Sequence, residues 1–177
     1  MPRNRFLAAG AVLAAALLAL PALAQPQRAQ GPQRLGAHGE WTAATHEENG
    51  QKVCYAFARA ARSDGAPPNR GAVTLTVAHR AIGRDQVAVS VGAPLPRGAE
   101  AVMTIGNAEF RSYGTVQSSA FFQSGAQLIG AFRNGREAVV RSPGAGGRGT
   151  VTDTFSLSGF SAAYDAISRE CPARPAR

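Results

Sequence analysis

The chain has 177 residues, 45% of them hydrophobic and 17% charged, a formal net charge of +8 and two cysteines, Cys54 and Cys171. That length and apolar content suit one domain with a real core, with no sign of a second domain or an internal repeat. Two cysteines so far apart exclude a zinc site, which needs clustered ligands and two more of them.

At the N-terminus, Arg3 and Arg5 precede an apolar run from Phe6 to Leu20, a break at Pro21 and the small-x-small tripeptide Ala22-Leu23-Ala24. This is the form of a secretory signal peptide, residues 1–24, cleaved after Ala24 to leave Gln25 first. The competing reading is an uncleaved anchor, since Phe6 to Ala24 approaches the roughly 20 apolar residues that span a bilayer. No cysteine follows the cleavage position, so a lipid anchor has no acceptor, and a soluble exported protein is expected. Residues 25–38 are rich in Gln, Pro, Gly and Arg without apolar periodicity, which predicts a disordered lead-in. The folded domain is expected over 39–172, with a disordered tail over 173–177.

Strand signals dominate that domain. Val53, Tyr55 and Phe57 alternate with Cys54, Ala56 and Ala58; Val73, Leu75 and Val77 with Thr74, Thr76 and Ala78; and Val87, Val89 and Val91 with Ala88 and Ser90. Ile82-Gly83-Arg84-Asp85 predicts the turn of an antiparallel hairpin. Gly106-Asn107 predicts another between 101–105 and 109–113. Residues 137–142 and 150–157 bracket a glycine-rich stretch, 143–149, read as a hairpin tip rather than a phosphate cradle.

Two helices interrupt the strands. Over 124–134, Leu128, Ile129 and Phe132 share a face, and Gly135 is placed as a left-handed cap. In the second, Ser158 is placed as the N-cap, and Phe160, Ala163, Tyr164, Ile167 and Cys171 form one apolar stripe. The fold class that follows is all-β: a mainly antiparallel β-sandwich or barrel-like domain with a short middle helix, a C-terminal helix and one disulfide. Export supplies the reason for that disulfide, because two thiols in an oxidising compartment pair, giving Cys54–Cys171. Two free buried thiols are the alternative.

Cleavage removes Arg3 and Arg5 and lowers the formal charge by two to +6, nearly all of it arginine, with Lys52 the only lysine. Arg28, Arg34, Arg174 and Arg177 lie in the tails. Arg133, Arg136, Arg141 and Arg148 crowd the later loops and are the candidate surface for an anionic partner. Catalytic candidates are weak. His46-Glu47-Glu48 lacks the second histidine of a zinc motif and adjoins the turn signal Asn49-Gly50. His79 ends a strand, where a rim histidine is ordinary, and His38 borders the lead-in. Asp153 and Asp165 are a conceivable carboxylate pair, but one alternates with threonines on a strand and the other falls on the polar face of the last helix. Trp41 and Tyr164 read as core or rim aromatics. No catalytic residue, metal ligand or cofactor is assigned.

The pattern resembles the bacterial invasion-associated locus B family. The resemblance is carried by Val53-Cys54-Tyr55, the hairpin from Arg80 to Gly92, the stretch from Gly98 to Phe110 with Thr104-Ile105-Gly106, and above all Asp153 to Tyr164 followed by Ala166-Ile167 and Cys171. It implies an exported envelope protein, periplasmic or outer-membrane associated, of a family whose named members are linked to host-cell entry. It carries over no active-site motif; only Cys54 and Cys171 transfer, as a structural pair. The expected function is a non-enzymatic interaction protein with a protein partner in the envelope or on a host cell. The alternatives are a binder of an anionic envelope component and a periplasmic hydrolase.

Overall fold

The computed structural model describes residues 31–123 and 125–173; the expected signal peptide over 1–24, the start of the expected lead-in, Ser124 and the last four residues lie outside them. Eleven strands run β1 Gln33–His38, β2 Trp41–Glu48, β3 Gln51–Arg59, β4 Arg62–Asp64, β5 Thr74–Arg80, β6 Gly83–Ser90, β7 Val102–Ile105, β8 Ala108–Val116, β9 Ser119–Phe122, β10 Glu137–Pro143 and β11 Thr150–Ser156. Helix α1, Ala126–Asn134, precedes β10, and α2, Phe160–Glu170, follows β11. The strands form one antiparallel sheet in the order β1-β2-β3-β5-β6-β9-β8-β7-β10-β11-β4, with β1 and β4 at its two ends and no closure into a barrel.

The sheet folds over because β8 serves two neighbours. Residues Ala108 to Arg111 pair with β7, while Ser112 to Val116 pair with β9 across a register shift. The chain crosses between the halves a second time after β3. Ala60 N–H still bonds Val73 O at 3.0 Å, and the next amide, Ala61, has moved to Thr154 O of β11 at 2.8 Å. One apolar core lies between the halves and under the helices, with Trp41, Leu75, Met103, Phe122, Phe132, Phe155 and Phe160 all fully buried.

Beyond Trp41, which faces Ala58, the inward residues on β2 and β3 are small: Ala43 faces Ala56 and Thr45 faces Cys54. This leaves room for α2 to lie close to the sheet, burying Phe160, Ala163 and Ile167, the stripe expected from its 3.6-residue period. The larger β3 side chains, Tyr55 and Phe57, consequently stand on the opposite face. Cys54 and Cys171 are disulfide-bonded, with Cα atoms 6.0 Å apart.

Four local expectations are corrected. Residues 33–38 are not lead-in but strand: β1 pairs with β2 from Gln33↔Thr45 to His38↔Trp41, because an edge strand needs backbone pairing on one side only and its polar side chains stay in water. Ser158 does not cap α2. The cap position is Gly159 at φ 90°, without a side-chain bond, while the Ser158 carbonyl accepts the Glu40 amide at 3.1 Å. Gly135 is extended rather than left-handed, and its amide bonds Ala131 O at 2.8 Å. The β5–β6 turn falls at residues 81–82; Gly83 to Asp85 are already in β6, and Asp85 at φ 56° absorbs a bulge opposite β5.

The start of α2 leaves no space for a side chain. A Cβ on Gly159 would sit 1.8 Å from the His38 carbonyl oxygen. Gly159→Ala therefore combines a left-handed backbone with a collision against backbone and is expected to lower stability by at least about 2 kcal/mol, read from the urea midpoint.

Candidate functional site: a cleft on the open face of the sheet

The face of β3, β5, β6 and β9 turned away from α2 carries few charges. Register places Thr42, Phe57, Thr76, Ala88 and Phe121 in one row and Ala44, Tyr55, Ala78 and Gln86 in the next. Thr76, Ala78 and Ala88 are short, so the middle of the face forms a trough. Phe121, the protruding Tyr113 and the turn residue Ile82 line its edges. The resulting open cleft has a volume of about 740 Å³, within the range of small-ligand sites. Tyr113 is 73% and Ile82 89% exposed, so two large side chains meet water at its rim. Tyr113 and Phe121 are in contact, with ring centroids 6.5 Å apart, and across the face Tyr55 stacks on Phe57 at 5.9 Å.

The polar end of the cleft is neutralised internally. Arg80 donates from Nε to Glu48 Oε2 at 2.9 Å and from Nη1 to Gln86 Oε1 at 2.8 Å. The guanidinium holds the Glu48 carboxyl below its ordinary range, chiefly through that hydrogen bond. Between that ion pair and the aromatic wall the trough is lined largely by apolar side chains.

The residues singled out in sequence fall elsewhere. His46 packs edge-on to Tyr55 at 5.2 Å, next to the β2–β3 hairpin tip. Among the described residues no group of three His, Cys, Asp or Glu could hold a metal. Asp153 and Asp165 are not a pair. Asp165 accepts from Arg133 at 2.6 Å on the surface, whereas Asp153 is fully buried and bonded to Arg70 and Ser63. The four arginines are not one site either. Arg133 is held by Asp165 and lies over the Tyr164 ring at 4.8 Å. Arg136 and Arg141 are separated by five residues of mostly extended chain, about 17 Å, and Arg148 lies beyond the far end of β10.

His79 is the residue whose setting sequence reading missed, because its partners come from α2. Its ring is 1% exposed; Ser168 Oγ lies 3.0 Å from Nε2, and Asp85 Oδ1 lies 3.6 Å from Nδ1. The Asp85 amide donates to Nδ1 at 3.3 Å, an arrangement that suits a neutral ring with its proton on Nε2 and Ser168 Oγ as acceptor. Asp85 Oδ1 accepts the Tyr164 hydroxyl at 2.6 Å. The cluster ties α2 to the β5–β6 hairpin.

Burial first, and then the Arg84 charge, push the His79 pKa from 6.5 down to about 4. The unfolded chain thus takes up a proton near pH 6.5 while the folded one resists until about pH 4, so stability is full above 6.5 and declines as pH falls between those values. The decline attributable to His79 is expected to reach about 3 kcal/mol. Denaturation of the native chain and His79→Gln across pH 7 to 4 checks this: the variant should lose that part of the slope.

Residues 41–168, from Trp41 to the Ser168 that bonds His79, match the family model described as Invasion associated locus B (IalB) protein. Among solved structures, invasion associated protein B from Bartonella henselae is similar in fold, with TM-score 0.54 and 17% identity over 76% of this chain and 95% of that chain. No curated protein matches. With the family match spanning β2 to β11 and nearly all of α2, this chain belongs to the invasion associated locus B family.

Proposed function

We propose that this chain is an exported, non-enzymatic interaction protein of the bacterial cell envelope, periplasmic or outer-membrane associated, that holds a protein partner through the open-face cleft. The observation that carries the reading is the cleft itself: a trough floored by Thr76, Ala78 and Ala88, walled by Tyr113, Phe121 and Ile82, with its one ion pair satisfied internally. Such a surface suits apolar side chains of an extended segment, with the basic remainder of the molecule helping encounter more than specificity. The N-terminal export pattern supports the compartment, and family membership supports association with a host cell as the setting of that interaction.

The second reading is binding to an anionic envelope component. Arg136, Arg141 and Arg148 favour it, being exposed and, among the described residues, without carboxylate partners; their separation argues for diffuse attraction rather than a pocket. In-cell crosslinking separates the two. A photoreactive residue at Tyr113 should capture one protein at both low and high salt, and the same residue at Arg148 should not. Capture only at Arg148, disappearing with salt, would replace the first reading with the second. Tyr113→Ala should reduce capture at a neighbouring cleft position at least tenfold while changing stability by less than about 0.5 kcal/mol, as exposed substitutions do.

A further inference from the structure

The β10–β11 hairpin ends in a tip, residues 143–149, where Arg148 sits between Gly147 and Gly149. Residues 146–150 are all exposed, and a Cβ placed on Gly146 or Gly149 would meet nothing within 4 Å. Arg148 is extended, at φ −97° and ψ 132°, so its backbone already has the shape in which a binding cleft pairs with an extended segment. Two backbone bonds close the tip, Gly144 N–H to Gly149 O at 3.1 Å and Gly147 N–H to Gly144 O at 2.9 Å. The Arg148 carbonyl lies against Gly144, so attack on it requires the tip to open by breaking these bonds. Exposed tips built from small residues are where proteases nick folded chains. The other arginines are better protected. Arg97–Gly98 is also exposed, but its turn is closed by Ala99 N–H to Pro96 O at 3.1 Å and anchored by Leu95 N–H to Gln117 O at 2.8 Å. The Arg136 carbonyl accepts the Leu157 amide at 2.9 Å, and Arg70 is buried against Asp153. The rest among the described residues, with Lys52, lie in strands or helices, whose paired backbone would have to unfold first.

We propose that the Arg148–Gly149 bond is a processing site for an arginine-specific endoprotease, and that its product is a disulfide-linked two-chain protein that keeps the fold. Hydrolysis consumes one water: the Arg148 carbonyl carbon takes the hydroxyl and the Gly149 nitrogen the hydrogen, leaving a carboxylate and an ammonium at the tip. Proteases of this class select arginine with a carboxylate in their own specificity pocket, and the flanking glycines put no side chain in the way. The piece that begins at Gly149 holds β11 and α2. It stays seated because β11 pairs with β10 on one side and β4 on the other, because Asp153 remains bonded to Arg70 and Ser63, and because α2 buries Phe160, Ala163 and Ile167. Cys171 then ties it covalently to Cys54 on the other piece. The open-face cleft is lined wholly by residues before Arg148, so both pieces of the nicked protein keep their surfaces.

Limited digestion of the folded native chain with trypsin tests this, read by mass spectrometry and by gels run with and without reductant. Within residues 31–173 the first cut is expected after Arg148. Without reductant the nicked chain should run as one species; with reductant it should separate into a piece ending at Arg148 and a piece beginning at Gly149. Its far-UV circular dichroism should match that of the uncut chain. Arg148→Gln should slow the first cut within those residues by roughly tenfold or more, because the remaining sites need a larger and rarer opening. A first cut after Arg97, or after an arginine of a strand or helix, would overturn the site, as would Arg148→Gln being cut at the native rate. Collapse of the circular dichroism on nicking, or pieces that part without reductant, would overturn the two-chain product. The position of the first cut in the native chain decides the site even if the variant does not fold.

Discussion

Cys54→Ser is expected to lower stability by about 4 to 5 kcal/mol, the loop-entropy value for the 117-residue separation that the disulfide closes. Domains of this kind are stable by only about 5–15 kcal/mol in total, so the variant should lie near its unfolding threshold at growth temperature. Local structure adds to the loss. Cys171 ends α2; its carbonyl accepts from Arg84, and Ser168 one turn earlier bonds His79. Releasing the helix end loosens the contacts that keep the buried His79 cluster out of water. Cys171→Ser and the double substitution should match Cys54→Ser, because all three remove one bond. Urea denaturation of the three variants, and of the native chain with and without reductant, checks the prediction. A single variant much less stable than the double one would mean that the leftover thiol is harmful in its own right, and a native chain indifferent to reductant would refute the assigned role.

What sequence could supply was periodicity and chemistry at short range. The stripe Phe160, Ala163, Ile167 and the alternation along β3, β5 and β6 are local patterns, and the structure carries them in the expected elements. The disulfide was legible because the export expected from the N-terminal pattern favours pairing and two cysteines allow only one pair. β1, β4 and β9 were not, and β2 was hinted at only by the turn signal Asn49-Gly50 that follows it. Gln33–His38 has no apolar alternation and is a strand because β2 offers an open edge; Arg62–Asp64 is three polar residues recruited by β11; Ser119–Phe122 is four residues long. The cleft was hidden for a related reason. Thr76, Ala78, Ala88 and Phe121 share a face only through the pairing of three strands, and no single strand shows it. One hint was present: Ala78, Ala88 and Phe121 occupy outward positions that an antiparallel sheet facing water fills with polar residues. Asp153 misled in the opposite direction. Its threonine neighbours placed it on a strand without showing its burial, and its partner Arg70 arrives from 83 residues away to make that burial tolerable.

Trp41→Ala should cost about 3–5 kcal/mol, as truncation of a fully buried large aromatic does, and Trp41→Phe about 1–2 kcal/mol for the lost hydrogen bond and the carbonyl left unpaired. Trp41 is 0% exposed and meets both helices, with ring centroids 4.9 Å from Phe160 of α2 and 6.4 Å from Phe132 of α1. Its indole Nε1–H donates to Ser156 O at 3.0 Å, reaching the last residue of β11 from the first residue of β2. The side chain therefore joins the two halves of the folded sheet as well as packing the helices. Far-UV circular dichroism is the appropriate readout, because Trp41 is the only tryptophan and its fluorescence vanishes with it. If Trp41→Phe were as stable as the native chain, the bond to Ser156 would contribute nothing. If Trp41→Ala lost under about 2 kcal/mol, the aromatic cluster would not be what secures α2. Trp41 and the disulfide grip opposite ends of that helix, through Phe160 and Cys171, about 16 Å apart for its 11 residues. At that separation their effects should add within about 0.5 kcal/mol, so the combined variant should fail to fold where each single one survives.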